Sequence, residues 1–111
     1  MNRIQILQDY LGEQHADAMM LTGEVNLIYV TCTTALEGQC LIFKNHSPVF
    51  VTDGRYTEAA EQQLIPHGFQ VVTRNNTQPL YHCLSELLRE HGVEKLMCLI
   101  NRHIQHIRNV L

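Results

Sequence analysis

Side chains able to do chemistry crowd together in the stretch VFVTDGRYTEAAEQQL, residues 49–64: Asp53, Arg55, Tyr56 and Glu58. Carboxylates at the carboxyl end of an apolar strand could act as an acid/base pair or as metal ligands, because open α/β sheets usually bind ligands at that edge. A divalent metal normally takes three or more side-chain ligands, and local spacing ties no histidine or further carboxylate to this cluster. A phosphate-binding loop is excluded, since Gly54 is the only glycine there.

The same stretch also has a purely structural interpretation, as the junction between a strand and a helix. Asp53 is a suitable N-cap, Arg55 is close enough to brace its carboxylate, and Tyr56 can place its ring on the sheet. Glu58 then faces solvent. The helix that follows has an apolar inward face: Ala59, Ala60 and Leu64. This interpretation predicts that Asp53→Ala lowers stability through loss of the cap.

Hydrophobic periodicity predicts the elements that hold this stretch in place. Helical spacing indicates helices at residues 2–12 and 79–91, and Gly92 ends the second in a left-handed conformation. Apolar runs indicate strands at 18–21, 40–43, 49–52, 69–72 and 96–100. Residues 25–30 fit either a helix or a strand, and residues 101–111 carry apolar residues at the spacing of a last helix.

The order of these elements predicts a single α/β domain over residues 1–111, cut off at its carboxyl end. The turn-rich link 44–48 makes the second and third strands an antiparallel hairpin. The βαβαβ order that follows implies a mixed sheet with right-handed crossovers and helices packed on its faces. A chain of 111 residues buries enough surface to fold without metal or disulfide staples.

Composition excludes several classes of partner. The chain has 8 basic and 11 acidic residues, and a net charge of −3 argues against a nucleic-acid partner. No apolar run approaches the ~20 residues of a membrane span, and the polar start predicts a cytoplasmic protein without a signal peptide. The four cysteines form no CxxC pair, and Cys40, Cys83 and Cys98 lie in apolar segments, as small buried hydrophobes do.

Three segments resemble the amino-terminal domain of the creatinase/prolidase family of Xaa-Pro peptidases. VTDGRYTEAA at residues 51–60, which contains Asp53, Arg55, Tyr56 and Glu58, is similar to the family signature TDxRYxEqA. NLIYVT at residues 26–31, with Asn26 and Tyr29, resembles the family segment NIRYLTGF, and DAMMLT at residues 17–22 resembles the strand before it. The resemblance covers residues 3 to about 100.

The resemblance implies a fold, a parent activity and a set of partners. The expected fold is a ribonuclease H-like α/β domain, which in the family precedes a pita-bread catalytic domain holding two divalent ions of manganese, cobalt or zinc. This chain would lack that catalytic domain, its metal ligands and its catalytic residues, and would be inactive alone. Its expected partners are its own catalytic domain, a second subunit in a homodimer, and an Xaa-Pro peptide.

In the family, the loop after the NIRYLTG segment can reach toward the partner subunit's active site. Here that loop is residues 31–39, TCTTALEGQ. The resemblance implies that it is a substrate-access loop, in which Thr33, Thr34 and Glu37 are the site residues. Glu37 is its only charged residue. The alternative is that Glu37 is an ordinary solvated carboxylate.

Other interpretations remain open from the sequence. The chain could be a standalone, non-catalytic interaction module derived from the family, or a free enzyme that uses Asp53 and Glu58. A zinc site from His103, His106 and Cys98 would need a helix to bring the two histidines together. A thiol nucleophile at Cys32 has no histidine nearby in sequence.

Overall fold

The computed structural model describes residues 3–33, 36–74, 77, 79–100 and 103–109. The helices within them are α1 (Arg3–Glu13), α2 (Glu24–Thr31), α3 (Thr57–Leu64) and α4 (Leu80–Glu90), with a 3-10 turn at Ile65–His67. The strands are β1 (Ala18–Thr22), β2 (Gln39–Phe43), β3 (Val49–Asp53), β4 (Gln70–Arg74), β5 (Lys95–Ile100) and β6 (His103–Asn109). No helix in this part of the chain is long and apolar enough to span a bilayer.

A six-stranded mixed sheet has the order β4-β3-β2-β1-β5-β6. The central strand β1 pairs antiparallel with β2 and parallel with β5, so that Ala18 lies opposite Phe43 on one side and Leu96 on the other. β3 is antiparallel to β2 and parallel to β4. Strands β1, β3, β4 and β5 therefore point the same way. This arrangement confirms the predicted α/β class and the predicted hairpin.

Each face of the sheet carries its own core, because alternate residues of a strand point to opposite sides. Helices α1, α2 and α3 pack on one face, against a cluster that includes Leu11, Met19, Leu21, Leu27, Ile42, Phe50, Leu64 and Met97. Helix α4 covers the other face, whose cluster includes Ala18, Leu41, Phe43, Val49, Val51, Leu84, Leu88 and Leu96. Burial of each large apolar side chain stabilises the fold by about 2 kcal/mol.

The ambiguous residues 25–30 form a helix. The buried positions of α2 are Asn26, Leu27, Val30 and Thr31, which repeat after four residues as one helical face does. Gly23 lies before the helix with a φ of 90°, and Cys32 ends it in the left-handed conformation with a φ of 59°. The turn of the chain at Gly23 thus separates β1 from α2.

The predicted last helix at residues 101–111 is wrong, because residues 103–109 form strand β6, antiparallel to β5. A register shift at Cys98 and Leu99 places Ile104 opposite Leu99 and Ile107 opposite Met97. Positions three apart on β6 thus align with positions two apart on β5, so a bulge produces the spacing that suggested a helix. The prediction that a helix places His103 and His106 on one face is therefore wrong as well.

The side chain of Asp17 ties the start of β1 to the start of β5. Its Oδ2 accepts hydrogen bonds from the backbone N–H groups of Glu94 and Lys95, both at 3.0 Å. The Asp17 N–H donates to the Lys95 carbonyl at 2.9 Å, and its carbonyl accepts from the Lys44 N–H at 3.1 Å. The bond from Lys95, followed by that from Glu94, lowers the pKa of Asp17. Three separate segments therefore meet at this one residue.

We expect Asp17→Ala to lower the free energy of unfolding by about 2 kcal/mol, because two backbone donors lose a charged acceptor. A lowered pKa means that this contribution is present above the ordinary value of 3.8 and disappears as the pH falls through the lowered value. Urea melts over a pH series measure both effects. Asp9→Ala is the control: Asp9 is an exposed carboxylate that accepts one bond from Gln5, and its loss should change stability by less than about 0.5 kcal/mol. Equal effects of the two substitutions would contradict the role of Asp17.

Candidate functional site

A cleft of about 550 Å³ opens where parallel strands β1, β3 and β4 end. This is the edge at which open α/β sheets usually bind ligands. Its charged lining residues are Glu24, Glu37, Asp53, Arg55 and Arg74, and its apolar ones are Leu27, Ile28, Leu36 and Leu80. Acidic and basic side chains thus share one depression of the size that takes a small molecule or a short peptide segment.

The Asp53–Arg55 pair forms one wall of the cleft. Arg55 donates from Nε to Asp53 Oδ1 at 3.1 Å and from Nη2 to Oδ2 at 2.9 Å, and its backbone N–H also donates to Oδ1 at 2.9 Å. The pairing confirms that Arg55 braces the Asp53 carboxylate. Hydrogen bonding from the Arg55 side chain lowers the pKa of Asp53, and the same bond raises the pKa of Arg55. Both groups are therefore held in their charged forms.

Asp53 does not cap helix α3, contrary to the sequence-based interpretation. The helix begins at Thr57, its N-cap residue is Tyr56, and that cap has no side-chain hydrogen bond. Instead the Asp53 carboxylate binds the N–H of Arg55, two residues on, while its carbonyl accepts from the Tyr56 N–H at 3.0 Å. Asp53 therefore stabilises a turn that comes before the helix, as short polar side chains often do.

The two carboxylates of the signature are not brought together. Asp53 lines the cleft, whereas Glu58 is exposed, does not line it, and is contacted only by Gln62 at 3.5 Å among the described residues. Tyr56 lies at the turn, with the Arg55 guanidinium 5.3 Å from the centre of its ring. This geometry does not support a free acid/base enzyme that uses Asp53 and Glu58.

Asn26 and Tyr29 hold helix α2 in place. The Asn26 side chain is buried, and its Nδ2 donates to the Thr22 carbonyl at 2.9 Å and to the Leu99 carbonyl at 3.4 Å. Tyr29 is half-exposed, and the Arg3 guanidinium lies 4.9 Å from its ring centre and donates to its carbonyl at 2.8 Å. Asn26 thus joins the helix to the ends of β1 and β5, and Arg3 joins it to α1.

The predicted substrate-access loop reaches the cleft in part. Thr33 and Glu37 line the cleft, and Thr34 lies outside the described residues. The loop is attached to β3 near its end, where Thr52 Oγ1 donates to the Glu37 carbonyl at 2.6 Å. The structure therefore brings the loop and the Asp53–Arg55 pair, which are well separated in sequence, into one site.

Sequence reasoning missed three residues of this site: Glu24, Thr52 and Arg74. Arg74 follows the predicted end of β4, and Glu24 follows the end of β1. Parallel strands end at a common sheet edge, so the register of Asp53 opposite Arg74 brings these residues beside the signature. The strand order would therefore have predicted these residues. That order depends on pairing between segments that are distant in the sequence.

The described residues offer no metal site, because they contain no group of three or more His, Cys, Asp or Glu side chains arranged to hold an ion. The divalent metals that the family resemblance implies are expected on the separate catalytic domain, and these residues do not test that expectation. None of the four cysteines, all of which lie in the described residues, forms a disulfide bond. Burial raises the pKa of Cys40 and of Cys83, which disfavours their thiolates, and Cys32 is exposed beside Arg3.

We expect Asp53→Ala to lower the melting temperature and to speed hydrogen exchange at the Arg55 amide, because that N–H loses its acceptor. The lowered pKa of Asp53 means that the stabilisation is present above the ordinary value of 3.8 and is lost as the pH falls through the lowered value. Glu58→Ala is the control and should leave both quantities nearly unchanged. Faster exchange confined to the first turn of α3 would instead support a helix cap.

Comparison with known proteins gives consistent matches. The sequence matches the Creatinase/Prolidase N-terminal domain over residues 3–106. The uncharacterized peptidase YqhT of Bacillus subtilis (strain 168) is 27% identical over 94 residues, which are 85% of this chain and 25% of that protein. An Xaa-Pro dipeptidase from Bacillus anthracis has a TM-score of 0.73 and 29% identity, over 84% of this chain and 25% of that one.

A third similarity is to the N-terminal domain of the cytoplasmic peptidase PepQ from Mycobacterium tuberculosis H37Rv. It has a TM-score of 0.71 and 26% identity, over 85% of this chain and 69% of that one. The chain thus spans about a quarter of the length of the two Bacillus proteins. Sequence and fold agree across nearly all of the described residues, and the chain therefore belongs to the creatinase/prolidase amino-terminal domain family.

Proposed function

We propose that this chain is the non-catalytic amino-terminal domain of an Xaa-Pro dipeptidase or aminopeptidase. The observation that carries the proposal is the family match over residues 3–106, together with similar structures named as an Xaa-Pro dipeptidase and a cytoplasmic peptidase. In this proposal, hydrolysis takes place on a separate catalytic domain that supplies the divalent metals, manganese, cobalt or zinc. The proposed location is the cytoplasm.

The cleft is the proposed point of contact with an Xaa-Pro peptide bound at the catalytic domain. The Arg55 side chain is bonded to Asp53, whereas the Glu37 carboxylate is exposed and forms no hydrogen bond or ion pair among the described residues. Because the main chain of Glu37 is already fixed, its carboxylate can bind a ligand without the entropy cost of ordering the loop backbone. We therefore assign Glu37 the role of a substrate contact, together with Thr33 and Thr34 of the same segment of sequence.

The proposed function is tested on the gene product recovered from its own cells with an antibody against this chain. We expect a band several times larger than the 12.8 kDa of these residues and hydrolysis of an Ala-Pro dipeptide in the presence of manganese. A band at 12.8 kDa without hydrolysis would overturn the proposal and favour a standalone interaction module.

In that protein, Glu37→Gln should raise KM for Ala-Pro about five-fold with little change in kcat, because a lost charged contact is worth about 1 kcal/mol. Steady-state kinetics with the purified variant measure both parameters. Glu58→Gln removes a carboxylate that is also exposed but lies outside the cleft, and should leave KM unchanged. An unchanged KM in Glu37→Gln would rule out the contact.

A subunit contact is proposed on the outer face of helix α2. Val25 and Tyr29 lie one turn apart on this helix and are 51% and 39% exposed. Adjacent exposed apolar side chains are typical of protein interfaces. This feature also favours the second candidate function, a standalone module that binds itself or another protein.

We expect Val25→Glu to raise the dissociation constant of the homodimer at least ~10-fold, because it places a charge in an apolar contact. Sedimentation equilibrium measures that constant. Ile65→Glu is the matched control, since Ile65 is also 51% exposed but lies on the 3-10 turn after α3. Equal dissociation constants for the wild type and Val25→Glu would place the dimer contact elsewhere.

A further inference from the structure

Thr52 is a buried polar residue of strand β3 whose hydroxyl bonds outside its own strand. Only 3% of the residue is exposed, and its Oγ1 donates to the Glu37 carbonyl at 2.6 Å. A buried hydroxyl requires a hydrogen-bond partner, and here the partner belongs to the loop and not to the sheet. The main chain of the loop is therefore attached to β3 at Glu37.

Gly38 brings the same loop into direct contact with β3. A Cβ atom at this position would lie 2.1 Å from the Val51 carbonyl oxygen and 3.0 Å from the Phe50 ring. The next residue, Gln39, already pairs with Val51 in the sheet. The close approach and the Thr52 bond thus fix the backbone on both sides of the peptide unit that joins Glu37 to Gly38.

Thr52 and Asp53 are neighbours that fix side chains of opposite charge. Thr52 holds the backbone from which the Glu37 carboxylate projects, and Asp53 holds the Arg55 guanidinium. Glu37 and Arg55 both line the cleft. The field of Glu37 also contributes to the raised pKa of Arg55, after the larger effects of Asp53 and Tyr56. The separation of these charges is therefore set by two consecutive residues at the end of β3.

We propose that Thr52 is a positioning residue, whose hydroxyl fixes the loop so that the Glu37 carboxylate is held in the cleft opposite the Asp53–Arg55 pair. Its use in peptide recognition rests on the function proposed above. The positioning itself is a property of this chain alone. Thr52 is buried and its hydroxyl provides the attachment, so substitution can separate the shape of the side chain from its hydrogen bond.

The test is an NMR measurement on the 111-residue chain, with the Arg55 Nε–H resonance as a reporter of the Glu37 charge. In the wild type, Glu37→Gln should shift this resonance, because a carboxylate that lines the same cleft is replaced by a neutral amide. In a Thr52→Ser background, which keeps the hydroxyl, the shift should persist. In Thr52→Val, which keeps the shape and removes the hydroxyl, the shift should be lost.

Thr52→Ala is a second variant without the hydroxyl, for use if Thr52→Val does not fold. In this background too, Glu37→Gln should not shift the Arg55 Nε–H resonance. The proposal is overturned if either hydroxyl-free background retains the wild-type response to Glu37→Gln, or if Glu37→Gln shifts nothing in the wild type. Loss of thermal stability alone would not reproduce the pattern, because it does not report the charge at residue 37.

A kinetic measurement on the cellular protein separates this inference from the proposed function. If the proposed function and the positioning role are both correct, Thr52→Val raises KM for Ala-Pro as Glu37→Gln does and leaves kcat unchanged. In the Glu37→Gln background, Thr52→Val then causes no further rise in KM. Thr52→Ser restores the wild-type KM. A protein without peptidase activity that still shows the NMR pattern would refute the peptide function and leave the positioning role intact.

Discussion

The rest of the structure depends on one constraint. Strand β1 lies inside the sheet and has an antiparallel neighbour on one side and a parallel neighbour on the other. Its residues pair with β2 on one side and with β5 on the other. Because both sets of pairs use the same short strand, the two sides of the sheet that meet at β1 share one register. The bonds of Asp17 to Glu94 and Lys95 fix that register where both strands begin.

The cleft is a direct result of this register. Strands β1, β3 and β4 end at one edge, and the antiparallel β2 begins there, so the loop that enters β2 must cross the same edge as the signature that leaves β3. Of the charges gathered at this edge, Glu24, Glu37 and Arg55 are exposed, with 74% of the Arg55 side chain exposed, while Asp53 and Arg74 are half-buried. Solvated charges are suited to orienting a partner or ligand, whereas catalytic groups usually have strongly desolvated environments.

Local patterns in the sequence were sufficient for most of the elements. Helices α1 and α4 were predicted correctly from their apolar stripes, and the β2–β3 hairpin was predicted correctly from its turn-rich link. These features depend only on neighbouring residues, and they were enough to predict the α/β class. Asp53 was placed at the right junction, but its bond to the Arg55 N–H replaced the expected helix cap. Strand β6 was missed because its bulge against β5 imitates helical spacing, and a bulge depends on a distant partner. Asp17 was missed for the same reason, as its acceptor role exists only once β5 lies beside it.

The parallel pairing of β1 with β5 also sets the order in which the chain can fold during synthesis. Ala18 lies opposite Leu96, so the 77 residues between them must leave the ribosome before the central strand gains its second neighbour. Until then β1 is an edge strand with unpaired backbone groups, protected only by the meander of β1, β2 and β3 and by the helices packed on it. Closing so long a loop loses more entropy than forming the hairpin, which places the meander early and the pairing of β1 with β5 late. A nascent chain at this stage is most exposed to pairing with another copy of itself.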